Sequence, residues 1–86
     1  MQAKHGDMIV DVWQISDEFA PAPWVLAALQ RGTVAWQSQT DDENLMSLQD
    51  NGHVTFAVCG DYLVTDGQHY RLVPLAAFDS EYTIID

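Results

Sequence analysis

The sequence predicts a small α+β domain in which a curved antiparallel β-sheet of about five to seven short strands packs against one helix. Short runs of β-branched, aromatic and aliphatic residues fill most of the chain, and Asn-Gly, Gly-Asp and Asp-Gly pairs that favour tight turns separate them. One segment, residues 19–32, carries helix signals. Because 48% of the 86 residues are hydrophobic, residues 1–86 are expected to form a single domain with one small core.

The N-terminal part of the chain is expected to contain a flexible end followed by a strand. Residues 1–6 are polar, so we expect them to fray or to lie loosely on the surface. Residues 8–15 alternate as a half-buried strand does, with Val10 and Val12 on the core face.

The helix predicted over residues 19–32 begins with prolines, which the first turn tolerates because its N–H groups have no partner within the helix. An Ala/Leu run with high helix propensity follows, and Gly32 stands where a left-handed C-terminal cap is favoured. The 3.6-residue period places one apolar stripe on this helix. Its members are Trp24, Val25, Ala28 and Leu29.

Three strands are predicted next, over residues 33–38, 45–50 and 53–58. Asn51-Gly52 is the strongest hairpin signal in the chain, since both residues of a type I′ turn require positive φ angles. A two-residue turn there places Leu48 opposite Thr55 and Gln49 opposite Val54.

The stretch over residues 54–74 is predicted to form three strands around two tight turns, at Gly60-Asp61 and at Asp66-Gly67. A two-residue turn at Asp66-Gly67 predicts that Leu63 lies opposite Tyr70 and that Tyr62 lies opposite Arg71. A single helical turn is expected over residues 74–78, and a last strand over residues 80–85.

Charge is the most informative bulk property of the chain. Thirteen acidic and three basic side chains give a net charge of −10. Direct binding to nucleic-acid phosphates relies on Lys and Arg, and anionic lipid would repel this surface, so both partners are excluded. The lone Cys59 forms no internal disulfide and the N-terminus carries no signal-peptide pattern, so the bacterial cytoplasm is the expected location.

Three short segments and three single residues occur in a characteristic order along the chain. They are Val10-Asp-Val-Trp-Gln14, Gly32-Thr-Val-Ala-Trp36, Gly60-Asp-Tyr-Leu-Val64, Pro74, Phe78 and Tyr82. Together they resemble a family of small phage and prophage proteins with a Pro-Gly-Asp-Tyr-Gly motif. The chain departs from the motif at Cys59, where the family has proline, and at Leu63, where it has its second glycine. The resemblance implies a phage or mobile-element origin and a small fold without enzymatic activity. From the residues themselves, Gly60 allows an unusual backbone angle and Asp61 is suited to capping the turn.

Residues suited to catalysis or metal binding are few. Cys59 near His53 or His69 would make a nucleophile and base, but a half-buried thiol that packs as a small hydrophobe needs no further geometry and is favoured. The three histidines lack metal-binding spacing, so no metal and no cofactor are expected. Asp79 and Glu81 are read as neighbouring carboxylates on a strand, where they would present negative charge at a spacing similar to successive phosphates.

The hypothesis favoured by charge, size and the phage-like pattern is a non-enzymatic inhibitor. It would bind the basic, nucleic-acid-handling surface of a host defence complex of the CRISPR-Cas type, as anti-CRISPR proteins do. The residues expected to bind the partner are Asp41, Asp42, Glu43, Asp17, Glu18 and Trp13. The alternative is an accessory structural or regulatory domain that acts through a sheet edge or as a homodimer, with acidity serving solubility alone.

Overall fold

A computed structural model describes residues 1–16, 21–38, 44–50 and 52–85, and in that part of the chain it contains eight strands and two helices. The elements are β1 (Gln2–His5), β2 (Met8–Gln14), α1 (Pro23–Arg31), β3 (Val34–Ser38), β4 (Asn44–Asp50), β5 (His53–Val58), β6 (Tyr62–Thr65), β7 (Tyr70–Val73), α2 (Leu75–Glu81) and β8 (Thr83–Ile84). Neither helix in the described ranges is long and apolar enough to cross a membrane.

The strands form two antiparallel sheets, which confirms the predicted α+β class. The larger sheet has the order β7-β6-β2-β1-β8, and the smaller sheet has the order β3-β4-β5. The chain changes sheets between β5 and β6 because the turn there is tied to the end of β2. The N–H of Gly60 donates to the carbonyl of Ile15 at 3.0 Å, and the N–H of Ile15 donates to the carbonyl of Asp61 at 2.8 Å.

Strand β6 lies at the centre of the core, and all four of its residues are buried. Successive side chains of a strand point to opposite faces, so β6 contributes to two apolar clusters. The first cluster lies between the larger sheet and α2 and contains Ala3, Val10, Val12, Tyr62, Val64, Val73, Phe78 and Tyr82. The second joins the larger sheet to α1 and the smaller sheet, and contains Ile15, Val25, Ala28, Val34, Met46, Leu48, Ala57 and Leu63.

The prediction that residues 1–6 fray was wrong. Strand β1 lies between β2 and β8, and Ala3 is completely buried. A turn at Gly6, with φ of 63°, brings β1 back along β2, and the His5 ring stacks on Tyr82 with centroids 4.4 Å apart. Strand β1 is therefore held in the sheet by pairing with a strand on each side, although its own residues show little apolar pattern.

The C-terminal segment is more helical than predicted. Helix α2 extends to Glu81, and within the predicted strand at residues 80–85 Thr83–Ile84 pairs with β1. The N–H of Ile85 adds a hydrogen bond to the carbonyl of Gln2 at 3.1 Å. Stacking explains the longer helix, because the Phe78 ring lies between Tyr62 and Tyr82 with centroid distances of 3.7 and 4.9 Å. These contacts fix α2 against the larger sheet.

The helix predicted over residues 19–32 is confirmed from Pro23 to Arg31. It begins later than predicted, because residues 21–22 are not helical, and residues 19–20 lie outside the described part of the chain. The predicted β4–β5 hairpin is confirmed. Helix α1 ends at Gly32, whose φ of 82° is left-handed, and Val25 and Ala28 are buried on its predicted stripe. Leu48 pairs with Thr55 in the expected register.

The register predicted around Asp66-Gly67 was wrong. Thr65, not Leu63, pairs with Tyr70, so the connection has four residues, 66–69. The Asp66 Oδ1 accepts hydrogen bonds from the N–H groups of His69 and Gln68, at 2.8 and 2.9 Å. These bonds close a longer loop than the two-residue turn, and they lower the pKa of the Asp66 carboxyl.

Candidate protein-binding surface

One face of the smaller sheet is buried at its centre, and the other face is directed to solvent. Strand alternation and the cross-strand register assign each residue to a face. The inner face carries Val34, Met46, Leu48 and Ala57, which belong to the second apolar cluster. The opposite face, which we call the outer face, consists of Ala35, Leu45, Ser47, Gln49, Val54, Phe56 and Val58 among the described side chains.

Strand β5 makes the outer face unusually apolar for a solvent-exposed surface. Val54, Phe56 and Val58 occur at alternate positions and are 53%, 57% and 38% exposed. Leu45 lies directly opposite Val58, and Ser47 opposite Phe56, so these side chains are contiguous across two strands. Contiguous apolar patches of this kind mark interaction surfaces more often than isolated exposed residues do.

The same strand is an edge of the smaller sheet, because β5 pairs with β4 alone. Asp50 pairs with His53, and only two residues separate them in the sequence. Such a pair at the end of a hairpin exchanges two backbone hydrogen bonds, so hydrogen-bonded and non-hydrogen-bonded pairs alternate along β5 from that point. The N–H and C=O groups of Val54 and Phe56 therefore point away from β4. Val58 occupies the same alternate position along β5, and its backbone N–H and C=O groups also point away from β4, toward Asp61. Its carbonyl accepts from the Asp61 N–H at 3.1 Å, and its N–H donates to the Asp61 carboxylate at 3.3 Å.

The outer face differs from the chain as a whole in charge. None of its described side chains is ionisable, although the chain has a net charge of −10. An uncharged apolar sheet face next to an open strand edge has the properties of a protein-binding surface.

The sequence indicated different residues for partner binding. Asp17, Glu18, Asp41, Asp42 and Glu43 lie outside the described residues.

Trp13, the sixth residue indicated for partner binding, is half-buried. It pairs with Leu63 and packs against the second apolar cluster. Part of its surface thus contributes to the core.

The candidate nucleophile is distant from His53. Cys59 is exposed and follows β5 at one end, while His53 begins β5 at the other, and a rise of about 3.3 Å per residue separates them by roughly 20 Å. The Nδ1 of His69 lies 3.9 Å from the Asp50 carboxylate, beside the His53 end of the strand. Within the described residues, no three His, Cys, Asp or Glu side chains are grouped to hold a metal ion.

Asp79 and Glu81 do not form the expected row of carboxylates on a strand. Both residues lie on α2, where positions i and i+2 do not share a face. The Glu81 carboxylate instead lies 3.7 Å from the Nε2 of His5.

A cleft between β7 and the smaller sheet was not foreseen from the sequence. Its volume is about 220 Å³, and its lining includes Asp50, His53, Thr55, Tyr70 and Arg71. Small-molecule sites usually have volumes of roughly 300 to 1,000 Å³, so this cleft is small for such a ligand.

The Gly60-Asp61 pair has a structural role. Gly60 adopts a φ of 101°, and no atom lies within 4 Å of where a Cβ would stand, so the backbone angle and not crowding favours glycine. The Asp61 carboxylate accepts from the N–H of Val58 at 3.3 Å and from the N–H of Leu75, the first residue of α2, at 3.1 Å. One side chain thus links β5, the turn and α2, which confirms the capping expected of Asp61.

Comparisons with protein-family models, with curated proteins and with solved structures found no match for this chain.

Proposed function

We propose that the chain is a non-enzymatic, protein-binding inhibitor that occupies a basic, nucleic-acid-binding surface of a host defence complex of the CRISPR-Cas type. The observation that supports this proposal is unneutralised negative charge. Two contacts between described side chains place carboxylates beside histidines, Glu81 beside His5 and Asp50 beside His69. In that part of the chain, no carboxylate pairs with Lys or Arg.

The few cations do little to offset this charge. The Arg31 guanidinium donates to the Tyr70 hydroxyl at 2.7 Å, a neutral acceptor. A compact body with ten excess negative charges produces a field that accelerates encounters with basic surfaces and disfavours acidic ones. Surfaces that bind nucleic acid are rich in Lys and Arg, which makes them the complementary class of partner.

The residues we propose for the contact are the five predicted carboxylates, Asp17, Glu18, Asp41, Asp42 and Glu43, with the exposed part of Trp13. Carboxylates at a protein surface accept hydrogen bonds from Arg and Lys as phosphates do. Occupation of the partner's nucleic-acid site would then compete directly with its guide or target.

The experiment is displacement of fluorescent target DNA from purified CRISPR effector complexes of several types. We expect the chain to displace DNA from at least one complex, and we expect its affinity to fall when salt is raised from about 0.1 M to about 1 M. The triple variant Asp41→Asn, Asp42→Asn, Glu43→Gln should bind at least roughly tenfold more weakly, a loss of about 1.4 kcal/mol.

A matched control keeps the same change in net charge at other carboxylates, Asp7→Asn, Asp79→Asn and Glu81→Gln. It should retain most of the affinity. The proposal is wrong if no complex releases DNA, or if the affinity is the same at both salt concentrations.

The outer face favours a second candidate function, an accessory domain that works by self-association. An apolar, uncharged face is not needed for binding to a basic surface, whereas a homo-oligomer would use it.

A further inference from the structure

We propose that two copies of the chain associate through the edge of β5, so that their smaller sheets join into one antiparallel sheet of six strands. This interface uses the outer face and the β5 backbone, and therefore does not depend on the carboxylates proposed to bind a basic partner.

The edge of β5 lacks the features that protect exposed edges. Edge strands of monomeric proteins are usually short, or carry charged residues, proline or a bulge. Strand β5 has six residues, His53–Val58, with no Lys, Arg, Pro or Gly, and five of the six are exposed. The larger sheet, by contrast, ends in β8, which has two residues, and in β7, which carries Arg71.

The available backbone groups select one register. A two-fold axis through Thr55 pairs Val54 of one copy with Phe56 of the other, and the reverse. The outward N–H and C=O groups of Val54 and Phe56 then form four hydrogen bonds between the copies. An axis through Phe56 would instead require the groups of Val58, which are already bonded to Asp61.

Side chains are complementary in the same register. On the outer face, each Val54 lies against Phe56 of the other copy, an aromatic and β-branched pair that stabilises antiparallel sheets. On the inner face, Thr55 of one copy lies against Thr55 of the other, which is another favourable cross-strand pair. Pairing would cover two of the most exposed apolar side chains in the described part of the chain.

The lack of charge on the outer face favours a second copy of the chain, rather than a basic protein, as the partner that binds the β5 edge. A basic partner would find no carboxylate among the described side chains of the outer face, whereas a second copy presents an equally uncharged surface. Two molecules that each carry −10 repel one another, and salt screens that repulsion. Self-association should therefore strengthen as salt increases, opposite to the binding of a basic partner.

The test is sedimentation equilibrium over a concentration series that reaches about 1 mM, on the unmodified chain and two variants. Phe56→Lys places a charge in the interface. Met8→Lys is the matched control, because Met8 is also an exposed apolar strand residue, 53% exposed, but lies in the larger sheet. Circular dichroism spectra and thermal unfolding establish that both variants are folded.

We expect a monomer–dimer equilibrium for the unmodified chain and for Met8→Lys, and at least roughly tenfold weaker dimerisation for Phe56→Lys. Amide hydrogen exchange at Val54 and Phe56 should slow as the concentration rises. The proposal is overturned if the unmodified chain stays monomeric, if Phe56→Lys dimerises as well as Met8→Lys does, or if a dimer forms without protecting these two amides. Because Phe56→Lys retains every carboxylate, displacement of DNA from effector complexes reports on the proposed function separately.

Discussion

Replacing Asp61 with alanine tests how the two sheets and α2 are joined. The carboxylate accepts two backbone N–H groups, from Val58 in β5 and from Leu75 at the start of α2, at 3.3 and 3.1 Å. Loss of a helix-capping side chain costs about 1 kcal/mol, and loss of a second bond at the long end of the normal range costs a similar amount. The expected loss is therefore about 2 kcal/mol of the free energy of unfolding.

For a chain of this length, each kcal/mol lowers Tm by roughly 4 to 8 °C, so Asp61→Ala should lower Tm by about 10 °C. Thermal and guanidinium unfolding followed by circular dichroism measure both quantities. Asp79→Ala is the control, because Asp79 is an exposed carboxylate on α2 and should change stability by less than about 0.5 kcal/mol. Equal stabilities for Asp61→Ala and Asp79→Ala would refute the linking role of Asp61.

Three further predictions concern the loop, the N-terminal strand and the core. The pKa of Asp66 is lowered by its backbone bonds, so its contribution to stability is present above the ordinary value of 3.8 and is lost as pH falls through its lower folded value. The stability difference between the unmodified chain and Asp66→Ala, from guanidinium unfolding at several pH values, should shrink below pH 3.8. A stability difference that stays constant across these pH values would contradict the predicted contribution of the ionised Asp66 carboxylate. Ala3→Asp buries a charge in the first cluster and should cost at least about 3 kcal/mol, whereas Lys4→Ala on the exposed side of β1 should cost less than about 0.5 kcal/mol. Equal tolerance in chemical denaturation would mean that β1 is not part of the core. Leu63→Ala should cost about 2 to 5 kcal/mol, because Leu63 is completely buried in β6. A loss under about 1 kcal/mol in the same assay would indicate a loosely packed second cluster.

Local turn chemistry determined which parts of the fold were predictable. The register between β4 and β5 was predictable because an Asn-Gly pair between two strands favours a two-residue turn, and Asp50 does pair with His53. At Asp66 the same reasoning failed, because the aspartate side chain and the Thr65 hydroxyl close a four-residue loop. Whether an Asp-Gly pair occupies a two-residue turn or a longer loop depends on such bonds, and the sequence allows both.

Long-range pairing explains the remaining differences. Strand β1 has one buried residue, Ala3, so its local sequence pattern does not predict that it pairs with β2 and β8. The alternation of Val54, Phe56 and Val58 indicated a strand with one apolar face. The pattern could not indicate that this face would lie uncovered, because burial depends on which elements pack against it. The net charge of the chain follows directly from its composition, but the sequence does not predict where the carboxylates lie relative to a partner.

The central claim is that the outer face joins two copies while the carboxylates bind a basic partner. The most direct test is to measure the salt dependence of self-association and of partner binding on one preparation. Self-association is followed by sedimentation, and binding to an effector complex by displacement of labelled DNA, at about 0.1 M and about 1 M salt. If the uncharged outer face joins two copies and the carboxylates bind a basic partner, the dimer should tighten as salt rises while DNA displacement weakens. A change of both associations in the same direction would contradict this division.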